Sequence, residues 1–201
     1  GLGVYDTWIN GEYITRDQEL SPTVSEYRTR VYFNEFDVRE TLKKGQNALA
    51  VSLGCGRYTT MREPGMKGFG LPRLWYRLDI VYTDGRTATI VSDESWKITC
   101  EGPIRANNEF DGETYDARKE LTGWTKVGYD DSAWAEASLM DAPGGRLVLQ
   151  PNPNIAVMDI VKPVSITKTD HGYILDMGQN MVGRLQIKAR GLQRGDTLTM
   201  K

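Results

Sequence analysis

The hydrophobic residues of this chain mostly alternate with polar ones over short runs, which is the period of a half-buried β-strand. The clearest runs are 47–53, 74–82 and 86–91, and β-branched and aromatic residues fill 31–33. Turn residues separate these runs at short intervals, and strand and helix patterns do not alternate as in a parallel α/β sheet. The pattern therefore predicts an all-β fold, an antiparallel β-sandwich or jelly roll.

Two hairpin turns and one helical turn are predicted within this pattern. Asn10-Gly11 lies between two apolar runs and predicts a type I′ turn, because both central residues of that turn need a positive φ. Asp84-Gly85 predicts a second hairpin turn. The stretch 37–45 predicts one helical turn with Asp37 as its N-cap and Gly45 at its C-terminal end.

A shift in composition divides the chain near its middle. Residues 142–154 are rich in proline, glycine and asparagine, and we interpret them as a linker. We therefore expect an N-terminal β-sandwich at 1–141 and part of a second β domain at 155–201. In this second part, strands are predicted at 155–164, 173–176 and 184–189.

Charge and composition exclude several classes of partner. The 201 residues have a net charge of −2 with acidic and basic residues interleaved, so neither nucleic acid nor a membrane surface is an expected partner. No apolar run is long enough to span a bilayer. The chain has one histidine and no C-x-x-C pair, so no zinc site is expected, and Cys55 and Cys100 are interpreted as free thiols.

Two long segments without a strand pattern are the candidate functional regions. Gly54–Pro72 contains five glycines, and loops of this length are usually functional or disordered. The second segment, Gly102–Arg118, reads GPIRANNEFDGETYDAR and has too many turn residues for a buried strand. A structural loop and a ligand-contacting loop remain equal alternatives for it.

Arg118, which ends the second segment, is the expected anchor of that segment. Its planar guanidinium can hold a carboxylate through two hydrogen bonds. Glu113 and Asp116 are the nearest carboxylates in sequence, and Asp111 comes within reach if the segment folds back at Gly112. We predict that Arg118 ties the loop to the sandwich through at least one carboxylate or several backbone carbonyls.

Several motifs in order along the chain resemble one enzyme family. They are INGEYI, SPTVSEYRTRVYFNEFDVRETLKKGQNALAVSLGCGRY, YTDGR and DESWKIT, followed by GPI…GETYDAR and YILDMGQNMVGRLQIKARG. Together they resemble the N-terminal β-sandwich of bacterial α-L-rhamnosidases, glycoside hydrolase family 78, and the opening of the next β domain. The resemblance implies that the sandwich is a galactose-binding-like antiparallel jelly roll. The resemblance implies a longer enzyme that removes terminal L-rhamnose from plant polysaccharides or glycosides with inversion.

The resemblance also implies where catalysis takes place. In that family the acid and base carboxylates belong to a later (α/α)6 barrel, and inversion needs two carboxyl groups about 6.5–9.5 Å apart. We therefore expect this chain to be an accessory region without catalytic residues. Its expected partners are the remaining domains of the parent chain and, through the parent enzyme, rhamnose-containing glycans. The implied substrate is compatible with an extracellular or periplasmic location.

An alternative implied by the same resemblance is a working carbohydrate-binding module. In relatives with a family 67 module, calcium held by Asp, Asn and backbone oxygens bridges the sugar hydroxyls, and hard oxygen ligands suit calcium. Gly54–Pro72 contains neither Asp nor Asn, so this segment does not support calcium and no metal or cofactor is expected. Calcium stays an alternative, for which Asn107, Asn108 and Asp111 could supply some of the oxygens. The candidate sugar contacts are Arg57, Tyr58, Phe69, Trp75, Asn107, Asn108 and Asp111.

Overall fold

The computed structural model describes residues 1–59 and 68–200, and strands dominate this part of the chain. The prediction of an all-β, mainly antiparallel fold is confirmed. The chain divides into two compact units, Gly1–Ala156 and Val157–Lys201. In the first unit the strands are β1 (Val4–Ile9), β2 (Glu12–Tyr13), β3 (Arg30–Phe33), β4 (Leu49–Gly54), β5 (Arg77–Val81), β6 (Thr87–Val91), β7 (Lys97–Ile98), β8 (Ile104–Asn108), β9 (Gly112–Tyr115), β10 (Ala135–Glu136) and β11 (Arg146–Leu149).

The central sheet has the order β2-β1-β4, and both pairings are antiparallel. The predicted hairpin at Asn10-Gly11 is confirmed, since these residues have φ values of +54° and +83° and Ile9 pairs with Glu12 across the turn. The side chain of Asn10 also donates to the carbonyl of Thr41 at 2.9 Å, which fixes the turn to the chain entering β4.

The remaining pairs of the first unit are two-stranded. β5 and β6 pair antiparallel on either side of the predicted Asp84-Gly85 turn, where Gly85 has a φ of +85°. β7 pairs antiparallel with β10, and β8 with β9. The exception is β11, which runs parallel to β3 with Leu149 opposite Phe33.

Strand β11 lies in a segment whose composition predicted a linker between two domains. Residues 142–154, interpreted above as a linker, contain this strand, and the first compact unit extends to Ala156. The backbone N–H of Gly145 donates to the carbonyl of Tyr27 at 3.0 Å, directly before the two strands pair. Local composition cannot predict this strand, because its partner is more than a hundred residues away in sequence.

The stretch 37–45 forms a hydrogen-bonded turn and no α-helix. Leu42 N–H donates to the Val38 carbonyl, and Arg39 N–H donates to the Asp37 carboxylate. The Asn47 side chain then accepts from the N–H of Lys43 and donates to its carbonyl, at 2.8 Å each. These two backbone groups therefore bind a side chain in place of the backbone partners that a longer helix would provide. The one turn predicted for this stretch is therefore present, and it does not continue into a helix.

The core of the first unit is aromatic and is built around a short helix. Helix α1 (Gly56–Thr59) follows β4 and places Tyr58 inside, where it is 1% exposed. The Tyr58 ring lies 5.0 Å from Tyr27, edge to face, and stacks on Phe69 at 5.8 Å between ring centroids. Leu2 and Val31 complete the cluster.

The second unit contains one antiparallel hairpin, β12 (Ser165–Thr169) and β13 (Gly172–Asp176). The strand predicted at 173–176 is present. The structure shows no strand at 155–164 or 184–189, and most side chains there are exposed. A strand needs a neighbour to satisfy its backbone groups, and alternation alone supplies none.

Across residues 1–59 and 68–200 there is no helix with the length and apolarity that a membrane crossing needs.

Candidate functional site

The segment 102–118 is a β-hairpin, not the long loop expected from its turn residues. β8 and β9 form its arms, and a 3₁₀ turn (Ala117–Lys119) follows. Asn108 makes the tip, because its side-chain oxygen accepts the N–H groups of Phe110 and Asp111 at 2.8 Å each. Gly112 then starts the return with a φ of +81°, a conformation that glycine adopts without a steric penalty. Turn chemistry was visible in the sequence, but the pairing between the arms was not.

The candidate polar contacts of this hairpin bind one another. The Asn107 amide donates to the Glu113 carboxylate at 3.0 Å, and the Asn108 amide donates to the Asp111 carboxylate at 2.9 Å. A Cβ added to Gly54 would lie 2.8 Å from the side-chain oxygen of Asn107, so the hairpin packs closely on the end of β4. Asn107, Asn108 and Asp111 thus first stabilise the hairpin itself.

Arg57 joins the hairpin tip to helix α1. Its guanidinium donates to the Glu109 carboxylate at 2.5 Å, and its central carbon lies 5.9 Å from the centre of the Phe110 ring. The hydrogen bond to Glu109 raises the pKa of Arg57. The structure therefore brings Arg57 to the same end of the first unit as the Asn107–Asp111 tip, although 50 residues separate them in sequence.

The three aromatic candidates have different positions. Tyr58 is buried in the core, so neither face of its ring is free to stack on a sugar, and the expectation that it contacts sugar is corrected. Phe69 is half-buried and packs on Tyr27 and Tyr58, which gives it a core contact as well. Trp75 is 47% exposed and touches Phe33 edge to face at 6.1 Å, so it retains accessible ring surface.

Arg118 pairs with Asp116 at the end of the hairpin. Two guanidinium nitrogens donate to its two carboxylate oxygens at 2.8 and 2.7 Å, and the Arg118 backbone N–H donates to the same group at 3.1 Å. Glu113 is bound by Asn107 instead. The Arg118 side chain is 64% exposed, and its carboxylate partner lies in the same segment. The pair therefore caps the 3₁₀ turn and does not by itself join the hairpin to the rest of the sandwich.

The Asp116–Arg118 pair predicts a measurable acid titration. Hydrogen bonds from the Arg118 side chain and backbone lower the pKa of Asp116 to about 2. Because this pKa lies below that of an unfolded Asp, about 3.9, the stability from the pair is complete above pH 4 and is lost as the pH falls through about 2. An NMR titration of the Asp116 carboxyl should have its midpoint at about 2, and Arg118→Ala should move it up towards the ordinary value. An unchanged midpoint in this variant would contradict the assignment.

One polar cavity was not anticipated from the sequence. It has a volume of about 220 Å³ and lies where β3 and β11 end. No motif marks it, since its residues come from two segments over a hundred positions apart and one of these was interpreted as a linker. In the ranges 1–59 and 68–200, no group of three or more His, Cys, Asp and Glu side chains is placed to hold a metal ion. The residues that line the cavity are Asn34, Glu35, Phe36, Leu149, Gln150, Asn152, Pro153 and Asn154.

Known structures place this fold among the β-sandwich domains of glycoside hydrolases. An alpha-L-rhamnosidase from Dictyoglumus thermophilum superposes with a TM-score of 0.81 and 40% identity, over 89% of this chain and 20% of that one. The Streptomyces avermitilis alpha-L-rhamnosidase, solved in complex with L-rhamnose, has a TM-score of 0.81 and 36% identity, over 90% of this chain and 18% of its own.

The model of the alpha-L-rhamnosidase N-terminal domain matches residues 1–159, and the chain belongs to this family. Curated relatives agree: an alpha-L-rhamnosidase of Streptomyces avermitilis is 35% identical over all of this chain, and one of Formosa agariphila is 35% identical over 93% of it. The chain spans 20% of the length of each of these relatives. The resemblance stated from the sequence motifs is thereby confirmed.

Proposed function

We propose that this chain is an accessory region of an α-L-rhamnosidase that supports a catalytic barrel and contributes no catalytic carboxylate. The observation that carries the proposal is the match of residues 1–159 to the N-terminal domain family, combined with a span of one fifth of the relatives. The complete enzyme would remove terminal L-rhamnose with inversion, using an acid and a base supplied from outside this region.

The arrangement of the carboxylates supports a non-catalytic role. Inverting hydrolysis requires two carboxyl groups facing one sugar across about 6.5–9.5 Å. In the hairpin, Glu109, Asp111 and Asp116 are each engaged with an arginine or an amide of the same region. The cavity beside β3 and β11 contains one carboxylate, Glu35.

An activity assay tests this proposal. We expect no turnover of an aryl α-L-rhamnoside by the isolated chain, and turnover by the complete natural protein that contains it. Deleting the first unit from the complete protein should lower the melting temperature of the remainder, because the surface that it supports becomes exposed. Hydrolysis by the isolated chain would refute the accessory role.

A second candidate function is carbohydrate binding by the hairpin end of the first unit. The ion pair between Arg57 and Glu109 favours it, since it places a cation beside the polar tip formed by Asn108 and Asp111. Sugar sites combine a few oriented polar groups with an apolar surface, which Phe110 provides here at 41% exposure.

Calorimetric titration of L-rhamnose, with and without calcium, tests this second candidate. Binding at the hairpin should weaken in Arg57→Ala and persist in the matched variant Arg77→Ala, whose guanidinium pairs with Asp79 on its own strand. Equal affinities in the two variants would exclude the hairpin as the binding surface.

A further inference from the structure

The polar cavity of about 220 Å³ results from the only parallel strand pair among the described residues. Because β3 and β11 run in the same direction, the segments that follow them leave the sheet at the same edge. Gln150 N–H donates to the Phe33 carbonyl at 2.9 Å and keeps the two segments together just beyond the strands. Residues 34–36 form one wall of the cavity and residues 149–154 form the other.

Hydrogen bonds between side chains, two of them part-buried, hold the base of this cavity in place. The side-chain oxygen of Asn154 accepts from the Gln150 amide at 2.7 Å and from Asn34 and Ser21 at 3.2 Å each. The Asn154 amide donates to Gln18 at 3.1 Å, and both Gln18 and Ser21 are at most 5% exposed. Groups ordered in advance in this way lose little conformational entropy when a ligand arrives.

Several groups of the walls retain free hydrogen-bonding capacity. The carboxylate of Glu35 and the side-chain oxygen of Asn152 accept no hydrogen bond from residues 1–59 or 68–200. The amides of Asn34 and Asn154 each make one hydrogen bond, and an amide nitrogen has two N–H groups to donate. The half-buried ring of Phe36 stacks on no other ring of the described residues.

This combination of groups selects a neutral, hydroxyl-rich ring. Hydroxyl groups can donate to Glu35 and Asn152 and accept from the amides, and the C–H face of a sugar can lie on Phe36. The carboxylate of Glu35 repels an anionic ligand. The volume of about 220 Å³ is small for a ligand pocket, which suits a single pyranose unit better than a longer oligosaccharide.

We propose that this cavity binds one neutral pyranose unit, with Glu35 and Asn152 as acceptors, the amides of Asn34 and Asn154 as donors and Phe36 as the apolar contact. The proposal goes beyond the accessory role and is independent of it, because it concerns binding by this chain and not hydrolysis by a longer enzyme. It also concerns residues other than those of the hairpin.

NMR titration of the isotope-labelled chain tests the proposal with three probes: methyl α-L-rhamnopyranoside, D-galactose and the anion D-galacturonate. We expect shifts centred on residues 34–36 and 150–154 with at least one neutral sugar, at dissociation constants in the millimolar range. The anion should bind at least about fivefold more weakly than D-galactose, and Glu35→Gln should reduce this difference.

Matched variants separate this cavity from the hairpin. Phe36→Ala should weaken the neutral sugar about tenfold, while Phe110→Ala at the hairpin tip and Glu94→Gln on the exposed surface should not. Urea unfolding of each variant checks folding, and Asn152→Ala on the exposed rim serves as the test if Phe36→Ala does not fold. The proposal fails if no probe shifts these residues at about 100 mM, or if Asn152→Ala and Glu35→Gln both bind as the unaltered chain does.

Discussion

Replacing Tyr58 by alanine should destabilise the first unit by about 3–5 kcal/mol, as is usual when a buried aromatic side chain is truncated. The ring is 1% exposed and meets Tyr27 and Phe69 at 5.0 and 5.8 Å between centroids, so its removal leaves a cavity next to two other aromatic rings. Helix α1, which holds Tyr58, would lose the contact that fixes it to the core. This is the largest effect we expect from a single side chain.

Urea unfolding followed by tryptophan fluorescence measures this change, because all five tryptophans lie in the first unit. Tyr58→Phe retains the ring and should cost under about 1.5 kcal/mol. Tyr82→Ala, which removes a ring that is 43% exposed, serves as the surface control. If Tyr58→Ala left stability unchanged and altered sugar binding alone, Tyr58 would be a ligand residue and its assignment to the core would be wrong.

Gly145→Ala should also destabilise the first unit, by about 1–3 kcal/mol or more, as at other overpacked sites. A Cβ at this position would lie 2.4 Å from the Tyr27 carbonyl oxygen and 2.6 Å from the Arg30 nitrogen. Both are backbone atoms, one in the segment that leads into β3 and one in the first residue of β3, so relieving the clash moves β11 away from its partner. The cavity beyond the two strands should then be distorted as well.

Gly102→Ala is the matched control, because the nearest atom to its added Cβ is a Leu121 methyl group at 3.8 Å and its φ is not positive. We expect its urea midpoint to stay close to that of the unaltered chain, while that of Gly145→Ala falls. Amide exchange of residues 30–33 and 146–149 provides a second measurement, and it should accelerate in Gly145→Ala. Equal stability in the two variants would contradict the close packing of β11 on β3.

Local features of the fold were readable from the sequence wherever neighbouring residues decide the conformation. Asn10-Gly11 forms its turn because asparagine and glycine tolerate the positive φ that the turn requires, and the same reason applies to Gly85 and Gly112. The alternating runs at 47–53 and 86–91 are strands β4 and β6 in their larger part. The family motifs were likewise sufficient to identify the family.

The candidate site was predictable only in part. The turn residues of 102–118 marked a distinctive segment, but they did not show that Asn107 faces Glu113 across a hairpin or that Glu109 meets Arg57. Tyr58 shows the converse difficulty, since an aromatic residue in a glycine-rich segment suggests an exposed platform. The short helix α1 turns it inward, and burial then removes it from any ligand surface.

The sequence by itself determined the β class, the family and the turns, because strand alternation and turn geometry depend on residues that are close along the chain. Only the tertiary structure decided that 146–149 is a strand, that it runs parallel to β3, and that Asn34 and Asn154 meet at the end of the pair. These contacts join residues more than a hundred positions apart. The free energy that selects such a pairing comes from the packing and hydrogen bonding of the whole unit, so no local pattern records it.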